Sequence, residues 1–171
     1  MSDLYSRLQE SAGIIRERTG VETHDVVVVL GSGLGNYPLT IDRHTAVPYA
    51  ELRFPTPNAP GHAGTAYSAR LGSRQVLLLA GRVHAYEGVS MESVTFPVRA
   101  AILAGAQQVI LTNAAGGCGD RIEPGDLVLI TDHLNMSGIS PLAGENDPRL
   151  GPRFPDMSDV YTQELRARAH T

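Results

Sequence analysis

Apolar runs alternate with polar, glycine-rich breaks along the chain, and the spacing inside each run predicts its form. Leu4, Leu8, Ala12 and Ile15 recur at helical intervals through Leu4–Arg18, with Ser2 or Asp3 placed to cap the first turn. Val26–Leu30 is an unbroken β-branched and apolar run and predicts a buried strand. Ile41–Gly64 carries Pro48, Pro55, Pro57 and Pro60 and predicts irregular or edge structure. Thr65–Leu71 and Arg74–Ala80, separated by Gly72-Ser73, predict a hairpin. Ser90–Ala104 predicts a helix interrupted at Pro97 and ended by Gly105. Val109–Thr112 and Leu127–Thr131 predict two more buried strands, and His133–Pro155 a loop. Ser158 is placed to cap a last helix running to the chain end. Strands alternating with helices predict an α/β fold, a mixed twisted β-sheet flanked by helices in one domain spanning 1–171. A doubly wound sheet ordinarily returns from such a helix to another strand, so the pattern also predicts a C-terminally incomplete domain.

Three of the strand-like runs end in loops suited to an anion. Asp25–Leu30 leads into Gly31-Ser32-Gly33-Leu34-Gly35. Gln75–Ala80 leads into Gly81-Arg82-Val83-His84-Ala85-Tyr86-Glu87-Gly88. Gln108–Thr112 leads into Asn113-Ala114-Ala115-Gly116-Gly117. Ligands of open α/β sheets bind outside the carboxyl ends of the strands, so the three loops point to one shared phosphate-sized site. In the first loop, glycines let backbone N–H groups approach an anion and Ser32 adds a hydroxyl. A tight strand-to-helix turn accounts for the same loop. The Rossmann fingerprint fails at Asn36, and no Gly-Lys-Ser/Thr forms a P-loop. In the second, Arg82, His84 and Tyr86 at i, i+2 and i+4 share one face if the segment stays extended. Arg82 offers forked donors for phosphate, and Glu87 is near enough in sequence to orient His84. The third loop has no bulk, which suits either a ligand lying on the backbone or close helix–strand packing.

Composition narrows the class. Of 171 residues 42% are hydrophobic, ordinary for a globular domain, and no apolar run approaches the length of a membrane span. The net charge is −4 and all 14 basic residues are Arg, dispersed along the chain, which argues against nucleic acid as partner. An acidic protein must hold an anion locally, with aimed N–H groups and a placed Arg. The N-terminus lacks the basic and apolar blocks of a signal peptide, and one cysteine, Cys118, excludes an internal disulfide, so a cytoplasmic location is expected. No pair of His, Cys or acids has zinc spacing, so no metal is expected. His133 is read as structural. Ser32 lacks the Gly-x-Ser-x-Gly elbow of serine hydrolases.

The stretches Gly31–Gly35, Pro60–Gly64, Gly81–Gly88, Thr112–Gly117 and Arg153–Asp159 together resemble the trimeric, low-molecular-mass class of purine nucleoside phosphorylases. Methylthioadenosine phosphorylases share the fold, but Gly-Ser-Gly-Leu-Gly and Arg-x-His-x-Tyr-Glu-Gly look more like the purine nucleoside branch. The resemblance implies phosphorolysis of purine ribonucleosides or 2′-deoxyribonucleosides to free purine and α-pentose 1-phosphate, a salvage reaction. Inorganic phosphate is then a co-substrate, and no cofactor is expected. Carried over, Ser32, His62, Arg82, His84 and the Ala114 backbone N–H would bind phosphate, and His84 with Glu87 would serve catalysis. Tyr86 would contact the ribose, and Ala114, Ala115 and Gly116 would line the base pocket. Phe154 would reach a neighbouring subunit's ribose in a homotrimer. The resemblance also implies purine-gripping Glu and Asn residues, a further phosphate Ser and a 5′-hydroxyl His in a C-terminal part beyond Thr171. A non-catalytic phosphate-binding remnant is the alternative of another class.

Overall fold

The computed structural model describes residues 3–57 and 64–169, which divide into two compact units, 1–114 and 115–171. In the first unit, helix α1 (Leu4–Thr19) is capped by Asp3, whose Oδ1 accepts from the Ser6 N–H at 2.7 Å. Its buried stripe is Leu8, Ser11, Ala12 and Ile15, the spacing that keeps one face inward. Five strands follow: β1 (Val26–Leu30), β2 (His44–Pro48), β3 (Thr65–Leu71), β4 (Arg74–Ala80) and β5 (Gln108–Leu111). They form one sheet in the order β2-β3-β4-β1-β5. The β2/β3 and β3/β4 pairs are antiparallel, and β1 pairs in parallel with both β4 and β5. Helix α2 (Met91–Leu103) is capped by the Ser90 hydroxyl, which accepts from the Ser93 N–H at 3.2 Å. It packs on α1 and on β1, while α1 also meets β2.

The core lies where β1 and β4 run side by side: Val27, Val29, Leu30, Leu77, Leu78, Leu79 and Ala80 are all buried. These strands are covered on both faces, which explains their uninterrupted apolar runs. Parallel pairing has a direct consequence. With Leu30 opposite Ala80 and Val29 opposite Leu111, the carboxyl ends of β4, β1 and β5 emerge side by side at one sheet edge.

The structure corrects several sequence expectations. Helix α2 runs through Pro97 without a break. An interior proline costs about 3 kcal/mol or more, yet the buried face formed by Phe96, Pro97, Ala100 and Ala101 holds the helix together. β5 is an edge strand with Ile110 and Leu111 exposed, not a buried one. Leu127–Thr131 is no strand. It joins no ladder among the described residues, and Leu127 is fully exposed. Strand propensity reflects packing against paired neighbours, so an apolar run without a partner does not hold the form. The last helix, α3 (Gln163–Ala169), starts five residues beyond Ser158. The Ser158 N–H is taken by Asp156 Oδ1 at 2.8 Å in a local turn, and Asp159 Oδ2 accepts from Gln163 instead. The second unit is otherwise turns and irregular chain, with one short 3₁₀ segment at Pro148–Leu150. No helix of the described residues is long and apolar enough to cross a membrane.

Candidate functional site

At the shared sheet edge, three loops leave three neighbouring strands. Gly31 follows β1 and touches the chain leaving β5. A Cβ added at Gly31 would stand 2.7 Å from the Thr112 carbonyl oxygen and 2.9 Å from Asn113 Cα. Only glycine permits this approach, because both neighbours are backbone and neither can swing aside. Gly31→Ala is therefore expected to cost about 1–3 kcal/mol through overpacking and to splay the two loops. Thermal denaturation with an unchanged midpoint would contradict the close fit.

Hydrogen bonds draw the loops together. The Gly31 N–H donates to Thr112 Oγ1 at 2.8 Å, and that hydroxyl donates to the Val29 carbonyl at 2.9 Å. From the β4 loop, Arg82 Nη1 donates to the Thr112 carbonyl at 2.7 Å, and Arg82 Nε points to His84 Nε2 at 3.4 Å. His84 Nδ1 lies 2.9 Å from Glu87 Oε1, and the same carboxylate accepts from the His84 backbone N–H at 2.8 Å. With Nε2 accepting, Nδ1 carries the proton and donates to Glu87. Both side chains are mostly shielded from solvent. Ser32 is exposed at the tip of the β1 loop, and Ala114 is exposed beyond β5.

The segment after β4 does not stay extended. Ala85–Glu87 forms a 3₁₀ turn closed by Gly88, whose φ of 79° suits glycine. The reciprocal His84–Glu87 hydrogen bonds enforce the turn. Tyr86 is thereby folded back onto His84, the rings stacked 4.7 Å apart at 17°. Residues expected to share one face through alternation are gathered by a turn instead, and Tyr86 stays 80% exposed.

One anchor lies beneath the edge. The buried Tyr49 hydroxyl donates to the Gly81 carbonyl at 2.7 Å, at the root of the Arg82 loop. Burial pushes the Tyr49 phenol far above its ordinary pKa, so it remains a donor. The Tyr49 ring packs edge-on against Phe54 and its N–H donates to the Gly64 carbonyl.

Ser32, Arg82, His84, Tyr86, Glu87 and Ala114 thus belong to the first unit and to its loop edge. His62 lies outside the described residues. Ala115, Gly116 and Phe154 belong to the second unit, where Phe154 is exposed beside Leu142, Pro155 and Met157 around an open hollow of about 440 Å³. There Arg153 Nη1 donates to the carbonyls of Leu142 and Gly144. Sequence reasoning missed Thr112 and Tyr49. A threonine at a strand end reads as β propensity, and a tyrosine after Pro48 reads as loop. The signal for Thr112 was its place as the last residue before Asn113, a hydroxyl at the point where an apolar run gives way to a small-residue loop.

Residues 25–171 match the phosphorylase superfamily. The chain belongs to that superfamily. It is 42% identical over 163 residues to purine nucleoside phosphorylase 1 of Geobacillus stearothermophilus, covering 95% of this chain and 59% of the relative. It is 47% identical to the purine nucleoside phosphorylase of Mycobacterium leprae, covering 94% of this chain and 58% of that one. Among solved structures it is similar to isoform 2 of purine nucleoside phosphorylase from Schistosoma mansoni, in complex with cytosine and ribose-1-phosphate. The TM-score is 0.87 and the identity 34%, over 96% of this chain and 59% of the other. The chain therefore spans somewhat under two thirds of the length of these phosphorylases.

Proposed function

We propose that the protein is a purine nucleoside phosphorylase, cleaving the N-glycosidic bond of purine ribonucleosides or 2′-deoxyribonucleosides with inorganic phosphate. The observation that carries this reading is the convergence of Gly31, Arg82, His84 and Thr112 at the carboxyl ends of three adjacent strands. The phosphorylase relatives supply the reaction class.

Phosphate would lie against the Gly31–Gly35 loop, taking hydrogen bonds from Ser32, the Arg82 fork, His84 and the Ala114 N–H, with His62 completing the shell. For His84 to donate from Nε2, the ring must carry a proton there and Arg82 must turn its Nε toward the anion. Glu87, which accepts from the His84 backbone N–H and faces Nδ1, fixes the ring plane. Tyr86, stacked on His84, would present an apolar face to the ribose. Ala114, Ala115 and Gly116 would let the base lie against the backbone. Bond cleavage leaves an oxocarbenium-like sugar, and a dianion fixed beneath it stabilises that charge in place. Attack from the face opposite the departing purine inverts the anomeric carbon. The purine leaves with negative charge and needs a donor at its ring nitrogen.

The proposal includes one domain, a cytoplasmic role in purine salvage, no cofactor, and a homotrimer. Phe154 would cover a neighbouring protomer's ribose, and its exposure supports an intersubunit role. On the complete natural polypeptide, purine release from inosine and guanosine is expected only when phosphate is present. Release independent of phosphate would contradict the reaction. Sedimentation is expected to give three protomers, and Phe154→Ala is expected to lower turnover. A monomer with normal turnover would contradict the shared site.

A further inference from the structure

We infer that Thr112 is the positioning residue of the phosphate site, its hydroxyl locking the β1 loop to β5 while its carbonyl holds Arg82. The inference rests on the phosphate-site reading above.

The last ladder pair between β1 and β5 is Val29 with Leu111. Beyond it the backbones would part, since β1 turns into its glycine loop at Gly31. The Thr112 side chain bridges the gap. Its Oγ1 accepts from the Gly31 N–H at 2.8 Å and donates to the Val29 carbonyl at 2.9 Å, while its own N–H donates to that carbonyl at 3.1 Å. Two positions of β1, one on each side of Leu30, are thus fastened to one residue. The Gly31 peptide immediately precedes Ser32, so this bond sets the direction in which the loop's next donors point.

A hydroxyl is required for this pattern. It donates and accepts at once, which no isosteric side chain does. Valine would fill the same volume, but would leave the partly buried Gly31 N–H without its acceptor and the loop free to rotate. The absence of a Cβ at Gly31 belongs to the same device, because the Thr112 carbonyl sits where that atom would be. That carbonyl in turn accepts from Arg82 Nη1 at 2.7 Å and fixes one edge of the guanidinium, leaving its orientation governed by the third strand. Thr112 therefore meets both other loops without itself being placed on the phosphate.

The test compares Thr112→Val and Thr112→Ser in the complete natural polypeptide, with calorimetric titration by inorganic phosphate and steady-state kinetics. Thr112→Ala serves if the valine variant does not fold. A control, Ser11→Ala, removes a different buried hydroxyl bond, the one donated to the Leu52 carbonyl at 2.6 Å away from the loops. Removing the Thr112 hydroxyl is expected to weaken phosphate binding about tenfold. It is expected to raise KM for phosphate with KM for the nucleoside little changed. Thr112→Ser should restore affinity to within about twofold of wild type, and Ser11→Ala should leave phosphate affinity intact even where it lowers Tm. Wild-type affinity in both Thr112→Val and Thr112→Ala would overturn the inference, as would a serine variant as weak as valine or an equal loss in Ser11→Ala. Wild-type protein that binds no phosphate would instead overturn the phosphate-site reading.

Discussion

Arg82→Ala is expected to weaken phosphate binding by ten- to a hundredfold or more. Arg82 leaves the end of β4 with Nη1 held by the Thr112 carbonyl and Nε directed at His84, so its fork lies along the edge where the three loops meet. A hydrogen bond to a charged group is worth roughly 1.5–3 kcal/mol, and each 1.4 kcal/mol is about tenfold in affinity. The site has no general positive field to compensate, because the protein as a whole is acidic. Arg82→Lys keeps the charge but loses the planar fork, and is expected to fall between alanine and wild type. Calorimetric titration of Arg82→Ala with phosphate is the check. Affinity equal to wild type would mean that the anion does not sit at this edge.

The second large effect lies away from the site and concerns acid. His24 precedes β1, is only 2% exposed, and has Nε2 2.9 Å from Ser68 Oγ on β3. Gln75 Nε2 also donates to that hydroxyl at 3.1 Å, and the hydroxyl's remaining donor and acceptor capacity lets Ser68 pair with His24 in either tautomer. Burial lowers the His24 pKa from 6.5 to about 4, with Asp25 opposing the shift only in part. Because the folded value lies below the unfolded one, the folded state binds fewer protons in between. The stability contribution is intact above about pH 6.5 and is lost as pH falls toward 4. At about 1.4 kcal/mol per unit of pKa, the loss approaches about 3 kcal/mol.

Asp25 acts in a different window. The Gln75 N–H, followed by Arg74, holds its carboxyl below the ordinary range, so its contribution is present above about pH 4 and fades only below that. Urea midpoints measured from pH 7 to pH 4 are therefore expected to fall steadily in wild type. His24→Gln is expected to be less stable at pH 7 but nearly flat across that range. A His24→Gln variant with the wild-type slope would place the acid sensitivity elsewhere.

Much of the first unit was legible because local and tertiary demands agree there. Val26–Leu30 and Val76–Ala80 are apolar without interruption because they form the buried centre of the sheet. Asp3 caps the first helix where a cap was expected, and Gly72-Ser73 turns the hairpin. Neighbour relations were less legible. Nothing in the order of the segments says that β1 lies between β4 and β5, yet that arrangement is what brings the three loops to one edge. Leu127–Thr131 has strand composition but no ladder among the described residues, and a ladder is made by a partner rather than by the run itself. Pro97 reads as a break because its cost is local, while the burial that outweighs it is not. Arg82, His84 and Glu87 stand out in the sequence because forked donors, an imidazole and a carboxylate advertise their chemistry. Thr112 and Tyr49 were not, because their contribution is a single hydroxyl aimed at backbone in another strand.

The most direct test of the whole account is the product of the reaction, followed by NMR on the complete natural polypeptide supplied with a β-purine nucleoside and inorganic phosphate. A phosphate fixed on the face opposite the leaving purine must give pentose 1-phosphate in the α configuration, one equivalent for each purine released. Free pentose, a β-phosphate, or no phosphate ester at all would contradict the site described at the ends of β1, β4 and β5.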